Sequence, residues 1–207
     1  MNSRMSDATN SLRMLLEQAR AGDARARDQL FERCRNYVAV VARAQMESWM
    51  RAKVDASDLV QQTLLEAHRG FDNFQGKNEG EWLAWLKQIL DHNAKDFIRH
   101  YRAGKRQAAL EVRQPEAESF NPLAHLATGS MSTPSQVLMA HERELALANA
   151  IAQLSEDHQT VLQLRSLQRL PFEEVAERMI RSRPAVQMLW MRAVQKLEEL
   201  MNQAEGG

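Results

Sequence analysis

Cysteine is almost missing from this chain of 207 residues, in which Cys34 is the only one. A single thiol excludes an internal disulfide bond, and no cysteine and histidine residues stand at the spacing that a zinc site requires. Cys34 lies on the apolar side of a predicted helix, which favours a place in the core over a reactive thiol. We therefore expect a protein of a reducing compartment, with no metal and no cofactor.

Glycine and proline are also scarce, with 8 and 5 residues respectively. A many-stranded sandwich or barrel needs more turn residues than these supply, whereas apolar residues recur at helical spacing along most of the chain. The predicted fold class is all-α: two small helical domains joined by a flexible linker, with a helix-turn-helix in the second. We place the first domain at 10–104, the linker at 105–133 and the second domain at 134–203.

Long apolar runs are missing too. The N-terminal segment MNSRMSDATN has no apolar core of the kind found in signal peptides, and no run approaches the ~18 residues that span a membrane. The sequence therefore predicts neither export nor a membrane partner, and we expect a cytoplasmic protein.

The whole chain carries no net charge, but two of its segments do. The total is 27 basic against 27 acidic residues, yet residues 53–81 hold three cations and six anions, and residues 86–106 hold six cations and two anions. Zero net charge is thus a cancellation between an acidic stretch and a basic one. The basic stretch suits a nucleic acid, and the neutral total predicts weak, salt-sensitive binding to free DNA.

The basic stretch falls at the end of a helix predicted for 79–102. Lys95, Arg99 and Arg102 recur on one face, as tracking of a phosphate backbone requires, although cations at a helix C-terminus also complement the helix dipole. The polar loop before this helix carries Phe71 and Phe74, whose rings either stack on an unpaired base or pack in the core. For Phe71, and for Trp82 and Trp85 in the helix itself, we expect the core.

Residues 170–200 have the spacing of a helix-turn-helix. Ala176 is small enough for two helices to cross closely, Ile180 falls at the turn four residues later, and Val186 is a core position six residues further on. The outer face of the second helix then either enters a major groove or is simply a solvated face of a three-helix unit.

These motifs together resemble the extracytoplasmic-function group of the sigma-70 family of RNA polymerase sigma factors. DASDLVQQTLLEAH at 55–68 is similar to the polymerase-binding helix of that family, WLAWLKQIL at 82–90 to its core tryptophan motif, and NAKDFIRHYR at 93–102 to its minus-10 reading helix. Residues 154–197 are similar to its C-terminal promoter-reading domain. The resemblance implies core RNA polymerase and promoter DNA as partners. Such factors are often held by an anti-sigma factor, and nothing in the sequence identifies one.

The resemblance also assigns residues to three sites. The polymerase-binding residues are Asp55, Asp58, Leu59, Gln61 and Gln62. The minus-10 residues are Asn73, Phe74, Lys77, Asn78, Lys95, Arg99, His100 and Arg102, and the loop is expected to capture a base flipped from the opened strand. The minus-35 residues are Ser182, Arg183, Gln187, Met188, Met191 and Arg192.

The chain departs from the family pattern at Gln62, often acidic, at Ile180, commonly a turn glycine, and at Leu189, where a cation is frequent. Affinity for the minus-35 element is therefore expected either to be weak or to rely on apolar contacts, such as those of Met188 and Met191 with thymine methyl groups.

Catalytic motifs are absent, so we expect no catalytic residue, no small-molecule substrate and no enzyme activity. Two other functions remain open: a helix-turn-helix regulator that acts without core polymerase, and a helical adaptor that binds a protein and ignores DNA. A resting state in which the two domains pack together and bury their DNA faces is a further hypothesis.

Overall fold

The structure is a computed structural model, and it describes residues 12–46, 55–105 and 134–206; for 100–105, 134–140 and 205–206 it describes the backbone alone. Those residues form eight α-helices and no strand. The helices are α1 (Leu12–Arg20), α2 (Ala24–Gln45), α3 (Ala56–Gly70), α4 (Glu79–Lys105), α5 (Pro134–Ala152), α6 (Glu156–Leu162), α7 (Phe172–Met179) and α8 (Arg183–Gly206). The all-α prediction is confirmed. The linker predicted for 105–133 lies, except for its first residue, outside the described residues.

Short polar side chains begin the helices of the first unit, as their sequence predicts. Asp23 accepts hydrogen bonds from the amides of Arg25 and Ala26 and so caps α2, and Asp55 accepts one from the amide of Ser57 at 2.9 Å at the start of α3. Helix α4 ends at Lys105, three residues beyond the predicted end at Arg102, because it continues through Gly104. A single helical glycine costs only about 1 kcal/mol, which the rest of a long helix offsets.

The first core forms around Trp82, which is completely buried. Its ring lies 5.3 Å from the ring of Phe31 and 5.3 Å from that of Phe74, in edge-to-face arrangements. The indole N–H donates to the Cys34 sulfur at 3.2 Å, so the tryptophan is hydrogen-bonded where it is buried. The predictions that Cys34, Phe71 and Trp82 belong to the core are confirmed.

Helix α5 packs into this first core as well. Leu145, Ala148 and Ile151 are buried there, although the sequence places α5 in the second domain. A second core lies between α6, α7 and α8 and contains Val175, Val186 and the other buried residues of those helices. The domain limits at 104 and 134 stay predictions, since α5 joins the packing of the first unit. Within the part of the chain that the structure describes, no helix combines the length and apolarity needed to cross a membrane.

Candidate nucleic-acid and polymerase interfaces

The outer face of α3 carries four of the five predicted polymerase-binding residues. Asp55, Asp58, Gln61 and Gln62 are all exposed. The hydrogen bond from Ser57 lowers the pKa of the Asp55 carboxyl, which keeps it ionised at the start of the helix. We call these four exposed residues, Asp55, Asp58, Gln61 and Gln62, the α3 face.

Leu59 does not belong to the α3 face. Its side chain is 4% exposed and packs in the first core, because it lies on the opposite side of α3. Its position is therefore structural in this conformation. Leu65, which the sequence argument overlooked, is 52% exposed and stands seven residues after Asp58, hence on the same side of the helix. The sequence contains a signal for it, because Leu65 interrupts an otherwise polar stripe on this side of α3.

The basic end of α4 presents the predicted minus-10 cations. Lys95 and Arg99 are exposed and four residues apart, so they share a side of the helix. Asp96 lies between them and partly offsets their charge: its carboxylate is 2.9 Å from the Arg99 guanidinium and 3.2 Å from the His92 ring. The side chains of His100 and Arg102, predicted for the same site, lie outside the described residues.

The loop before α4 is tied to that helix by Asn78. The side-chain oxygen of Asn78 accepts from the Glu81 amide at 2.9 Å, and its amide group donates to the Glu81 carboxylate at 2.9 Å. Asn78 is thus the N-cap of α4, a role that the sequence argument missed although Asn followed by Glu three residues later is the signature of a capping box. Asn73, Lys77 and Asn78 remain exposed, as a DNA contact requires.

Phe74 is only 8% exposed, because its ring packs between Trp82 and Trp85. The packing explains the glycine two residues later: a Cβ on Gly76 would lie 2.2 Å from the Phe74 ring. Phe74 and Phe71 nevertheless line a cavity of about 540 Å³ beneath the loop, together with Arg20, Arg27 and His68. Any contact of Phe74 with a base therefore has to be made from within this cavity.

Arg27 forms one wall of the cavity. Its guanidinium lies 5.0 Å from the centre of the Phe71 ring, and it donates to the backbone oxygen of His68. Arg27 also forms an ion pair with Asp72, whose carboxylate is 3.6 Å away. The lining of the cavity thus combines aromatic rings and cations with the carboxylates of Asp23, Asp28 and Asp72.

The helix-turn-helix predicted for the second unit is present. Ala176 and Val186 are buried where α7 and α8 cross, and Ile180 occupies the turn with left-handed backbone angles of φ 54° and ψ 46°. The hydroxyl of Ser182 accepts from the Ala185 amide at 3.4 Å, and the Trp190 indole donates to Ser166 at 3.0 Å. These bonds fix α8 against the rest of the unit.

The predicted minus-35 residues lie on the outer side of α8. Met188, Met191 and Arg192 are exposed, and Gln187 is half-buried. Arg183 is exposed as well, but its guanidinium lies 3.1 Å from the Glu173 carboxylate on α7. Ser182 serves as the cap of α8 and is exposed to solvent beside them.

The two predicted domains, 10–104 and 134–203, are in contact. Glu142 of α5 accepts hydrogen bonds from the Leu12 amide at 3.0 Å and from Arg33 at 2.9 Å. On the other side of the contact, Gln163 donates to the backbone oxygen of Arg43 at 2.7 Å. The hypothesis of a packed resting state thus holds in part. The domains are packed together, but the predicted DNA-reading residues Lys95, Arg99, Met188 and Met191 are exposed rather than buried.

Among residues 12–46, 55–105 and 134–206, no three side chains of metal-binding type are grouped. What these residues present instead is an exposed polar helix face, a basic helix end, an aromatic cavity and a helix-turn-helix. This combination is typical of a helical protein that binds DNA and a protein partner.

Comparison with known proteins gives the family. Residues 30–104 match the family described as Sigma-70 region 2, and residues 150–199 match the one described as Sigma-70, region 4. These two matches together cover more than half of the chain, and the chain belongs to the sigma-70 family. It is 28% identical over 163 residues to the ECF RNA polymerase sigma-E factors of Haemophilus influenzae and of Escherichia coli K12, which covers 79% of this chain and 80% of each relative.

Two solved structures are also similar to it. One is an RsbN-BldN complex, at 24% identity and a TM-score of 0.33, covering 89% of this chain and 98% of the other. The second is CnrH in complex with the cytosolic domain of CnrY, at 23% identity and a TM-score of 0.35, covering 93% of this chain and 98% of the other.

Proposed function

We propose that this sigma factor binds core RNA polymerase through the α3 face, and reads a promoter with the basic end of α4 and the outer side of α8. The observation that carries the proposal is the simultaneous exposure of all three surfaces on a chain that matches sigma-70 regions 2 and 4. The chain directs transcription initiation, and bond formation stays with the polymerase. Its place of action is the cytoplasm, where the polymerase is.

The three surfaces differ in charge in a way that fits separate partners. The α3 face carries Asp55 and Asp58 and no cation, which suits a basic protein surface and repels DNA. The end of α4 carries Lys95 and Arg99, whose spacing follows a phosphate backbone. Charge thereby directs DNA to the end of α4 and polymerase to the α3 face.

Melting of the minus-10 element is assigned to the loop and cavity before α4. Taking a base out of the stack costs a few kcal/mol, which contacts on the displaced strand must offset. The cavity beneath the loop offers aromatic edges from Phe71 and Phe74, and Arg27 supplies a hydrogen-bonding guanidinium within it. We assign the flipped base to this cavity, with Asn73, Lys77 and Asn78 at its rim.

Binding to promoter DNA is shared between the two units. Either surface alone has few cations, so each contact is weak, and the polymerase raises the effective concentration of the second element once the first is bound. This explains how a chain of zero net charge serves a polyanion.

The test combines the purified chain with core polymerase free of other sigma factors and a library of promoter fragments. A sequence-specific transcript that starts a fixed distance from a recovered motif is the expected result. Binding of duplex DNA without any association with polymerase would identify a helix-turn-helix regulator instead. Polymerase binding without selection of any sequence would overturn the assignment of the two DNA surfaces.

A further inference from the structure

The outer side of the recognition helix is apolar at its centre. Met188 is 49% exposed and Met191 57%, while Val186 and Ala193 on the inner side are fully buried. Pro184 and Ala185 are also exposed and continue the same surface toward the start of α8. A solvated helix face is normally polar, so two large exposed methionines in the middle of it indicate a partner with apolar groups.

Side chains that can form hydrogen bonds flank the two methionines. Gln195, four residues after Met191, is exposed at the C-terminal edge of this surface. Arg183 is engaged by Glu173 on α7, and Gln187 is half-buried. Arg192 is exposed and makes no ion pair within the described part of the chain. Reading of base edges by bidentate hydrogen bonds is therefore restricted to the borders of the surface.

The surrounding charge selects DNA over a protein as the occupant. From Ile180 to Leu197 there is no acidic residue, and the stretch holds Arg181, Arg183, Arg192 and Lys196. Three of these cations form exposed ion pairs, with Asp157, Glu173 and Glu199, in which a phosphate can replace the carboxylate. Cations that border an apolar centre match phosphates beside a groove with an apolar group at its floor. In the major groove, that apolar group is the C5-methyl of thymine.

We infer that Met188 and Met191 read the minus-35 element through thymine methyl groups, so that this half of the promoter is selected mainly by apolar contact. The inference rests on the proposed function and specifies the chemistry of its minus-35 surface. Burial of one methyl group is worth a factor of about four in affinity, the equivalent of about 0.8 kcal/mol. Two such contacts give a factor of about fifteen.

The experiment replaces thymidine by deoxyuridine in the minus-35 element of a promoter fragment recovered from the library. Uracil keeps every hydrogen-bonding group of thymine and lacks only the methyl. With holoenzyme assembled from core polymerase and the full chain, each critical replacement should weaken promoter binding about fourfold. Replacements in the spacer between the two elements, to which no reading residue is assigned, serve as the control for general effects of uracil.

Variants of the two methionines assign the effect to its residues. Met188→Gln and Met191→Gln keep side-chain length and helix propensity but remove the apolar end, so they should weaken binding and abolish the difference between thymine and uracil. Met191→Leu remains apolar and should retain that difference. Because both methionines are exposed, the thermal unfolding of the variants should match that of the original chain.

Equal binding of the thymine and uracil promoters, with binding still dependent on the minus-35 sequence, would overturn the inference and leave the proposed function standing. Loss of binding in the glutamine variants without any effect of uracil would also overturn it, since the methionines would then contact something other than the methyl groups. Failure of the proposed function has a different result, namely no promoter-specific transcript with thymine in place.

Discussion

Ile180 holds a left-handed backbone conformation that a β-branched residue rarely adopts. Its φ is 54° at the turn between α7 and α8, and its side chain is 94% exposed, so no packing compensates for the strain. Left-handed angles cost an L-residue roughly 1–2 kcal/mol, and glycine avoids that cost. The turn is therefore less stable than it would be with glycine at position 180.

We predict that Ile180→Gly raises the free energy of unfolding by about 0.5–1 kcal/mol. The gain is smaller than the strain because glycine also increases the entropy of the unfolded chain by the equivalent of ~0.4–1 kcal/mol. Urea denaturation measures it, with Ile180→Ala as the control that keeps a Cβ and hence most of the strain. A glycine variant less stable than the original chain contradicts the prediction.

Cys34 is a second residue whose environment has a measurable consequence. Burial raises the pKa of its thiol from 9.0 to about 12, an effect that the hydrogen bond from Trp82 only partly opposes. A pKa raised in the folded state adds stability that is complete below pH 9 and is lost as the pH rises from 9 toward 12.

The difference in unfolding free energy between the original chain and Cys34→Ala should therefore shrink between pH 8 and pH 11, by up to about 1.4 kcal/mol per pH unit above 9. The comparison of the two chains cancels the titration of lysine and tyrosine. At pH 8 the native thiol should also resist alkylation until the protein unfolds. A difference that does not change with pH, or rapid alkylation of the native chain, would show that the thiol is accessible.

At the residue scale, the sequence predicted burial better than it predicted bonding. The place of Cys34 and of Trp82 in the core followed from helical periodicity. The cap formed by Asn78 did not, because the same side chain also suits a DNA contact and only the geometry decides between the two. The resemblance assigned Leu59 to the polymerase-binding surface, but Leu59 lies on the buried side of α3.

Among the helices, α3 is the element to which the proposed function assigns polymerase binding. Its exposed side combines Asp58, Gln61 and Gln62 with Leu65, and an exposed apolar side chain within a polar surface is typical of an interface anchor. The bond from Gln62 to Asn93 on α4, at 3.4 Å, holds this side in place. The surface is thus presented on a rigid helix.

We predict that Leu65→Gln weakens binding to core polymerase about tenfold or more, because the substitution removes an apolar contact that forms only in the complex. The fold should stay intact, because Leu65 is half exposed in the free chain. Affinity for core polymerase, measured with a labelled chain, is the readout. Glu199→Gln, which alters an exposed ion pair with Lys196 on α8, is the matched control and should bind normally. Unchanged affinity of the Leu65 variant would place the polymerase on another surface.

Local chemistry explains where helices begin and end, but it does not explain one irregular stretch of helix. Helix α3 begins directly after the capping Asp55 and ends at Gly70, both residue types that favour a helix end. By contrast, residues Gln163–Leu167 form a π-helical stretch, closed by a bond from the Gln168 amide to the Gln163 oxygen at 2.9 Å. A periodic pattern cannot reveal so short a change of pitch, because it shifts the apolar positions by less than one residue over a single turn.

In the whole molecule, α5 joins the two units. Beyond its apolar contacts, Asn36 and Asn149 are hydrogen-bonded at 2.8 Å, and the buried Lys87 and Glu144 face each other from α4 and α5. Burial lowers the pKa of Lys87, an effect that the charges of Asp91 and Glu144 oppose. The Gly80 backbone lies so close to α5 that an added Cβ would meet the His141 ring at 2.4 Å.

We predict that Glu142→Ala loosens this contact, because it removes the acceptor for both the Leu12 amide and Arg33. A charged hydrogen bond is worth about 1.5–3 kcal/mol, so amide hydrogen exchange in α5 and at the start of α1 should accelerate at least tenfold. Exchange in α7 and α8 should be unchanged.

Gly80→Ala provides a second route to the same state. Alanine favours the helix by about 1 kcal/mol, yet its Cβ would collide with His141, so exchange in α5 should still accelerate. Unchanged exchange in both variants would mean that the contact between the units contributes little to the stability of α5.

The sequence did not predict how the two units meet. The contacts of Glu142 and Gln163 join residues more than a hundred positions apart, and no local pattern records them. Fold class, helix-turn-helix and family were accessible, because they depend on periodicity and on motifs in a fixed order. The arrangement of the units depends on shape complementarity that only coordinates contain.

The separation of polymerase binding from promoter opening is tested most directly with Arg99→Gln combined with Arg102→Gln. Holoenzyme assembled with this variant is measured for two quantities, its affinity for core polymerase and the reactivity of unpaired thymines in the minus-10 element toward permanganate. We predict unchanged affinity and loss of the reactive thymines, because the cations at the end of α4 contact DNA and the α3 face does not depend on them. Open complexes formed as well as before, or loss of polymerase binding together with opening, would contradict it.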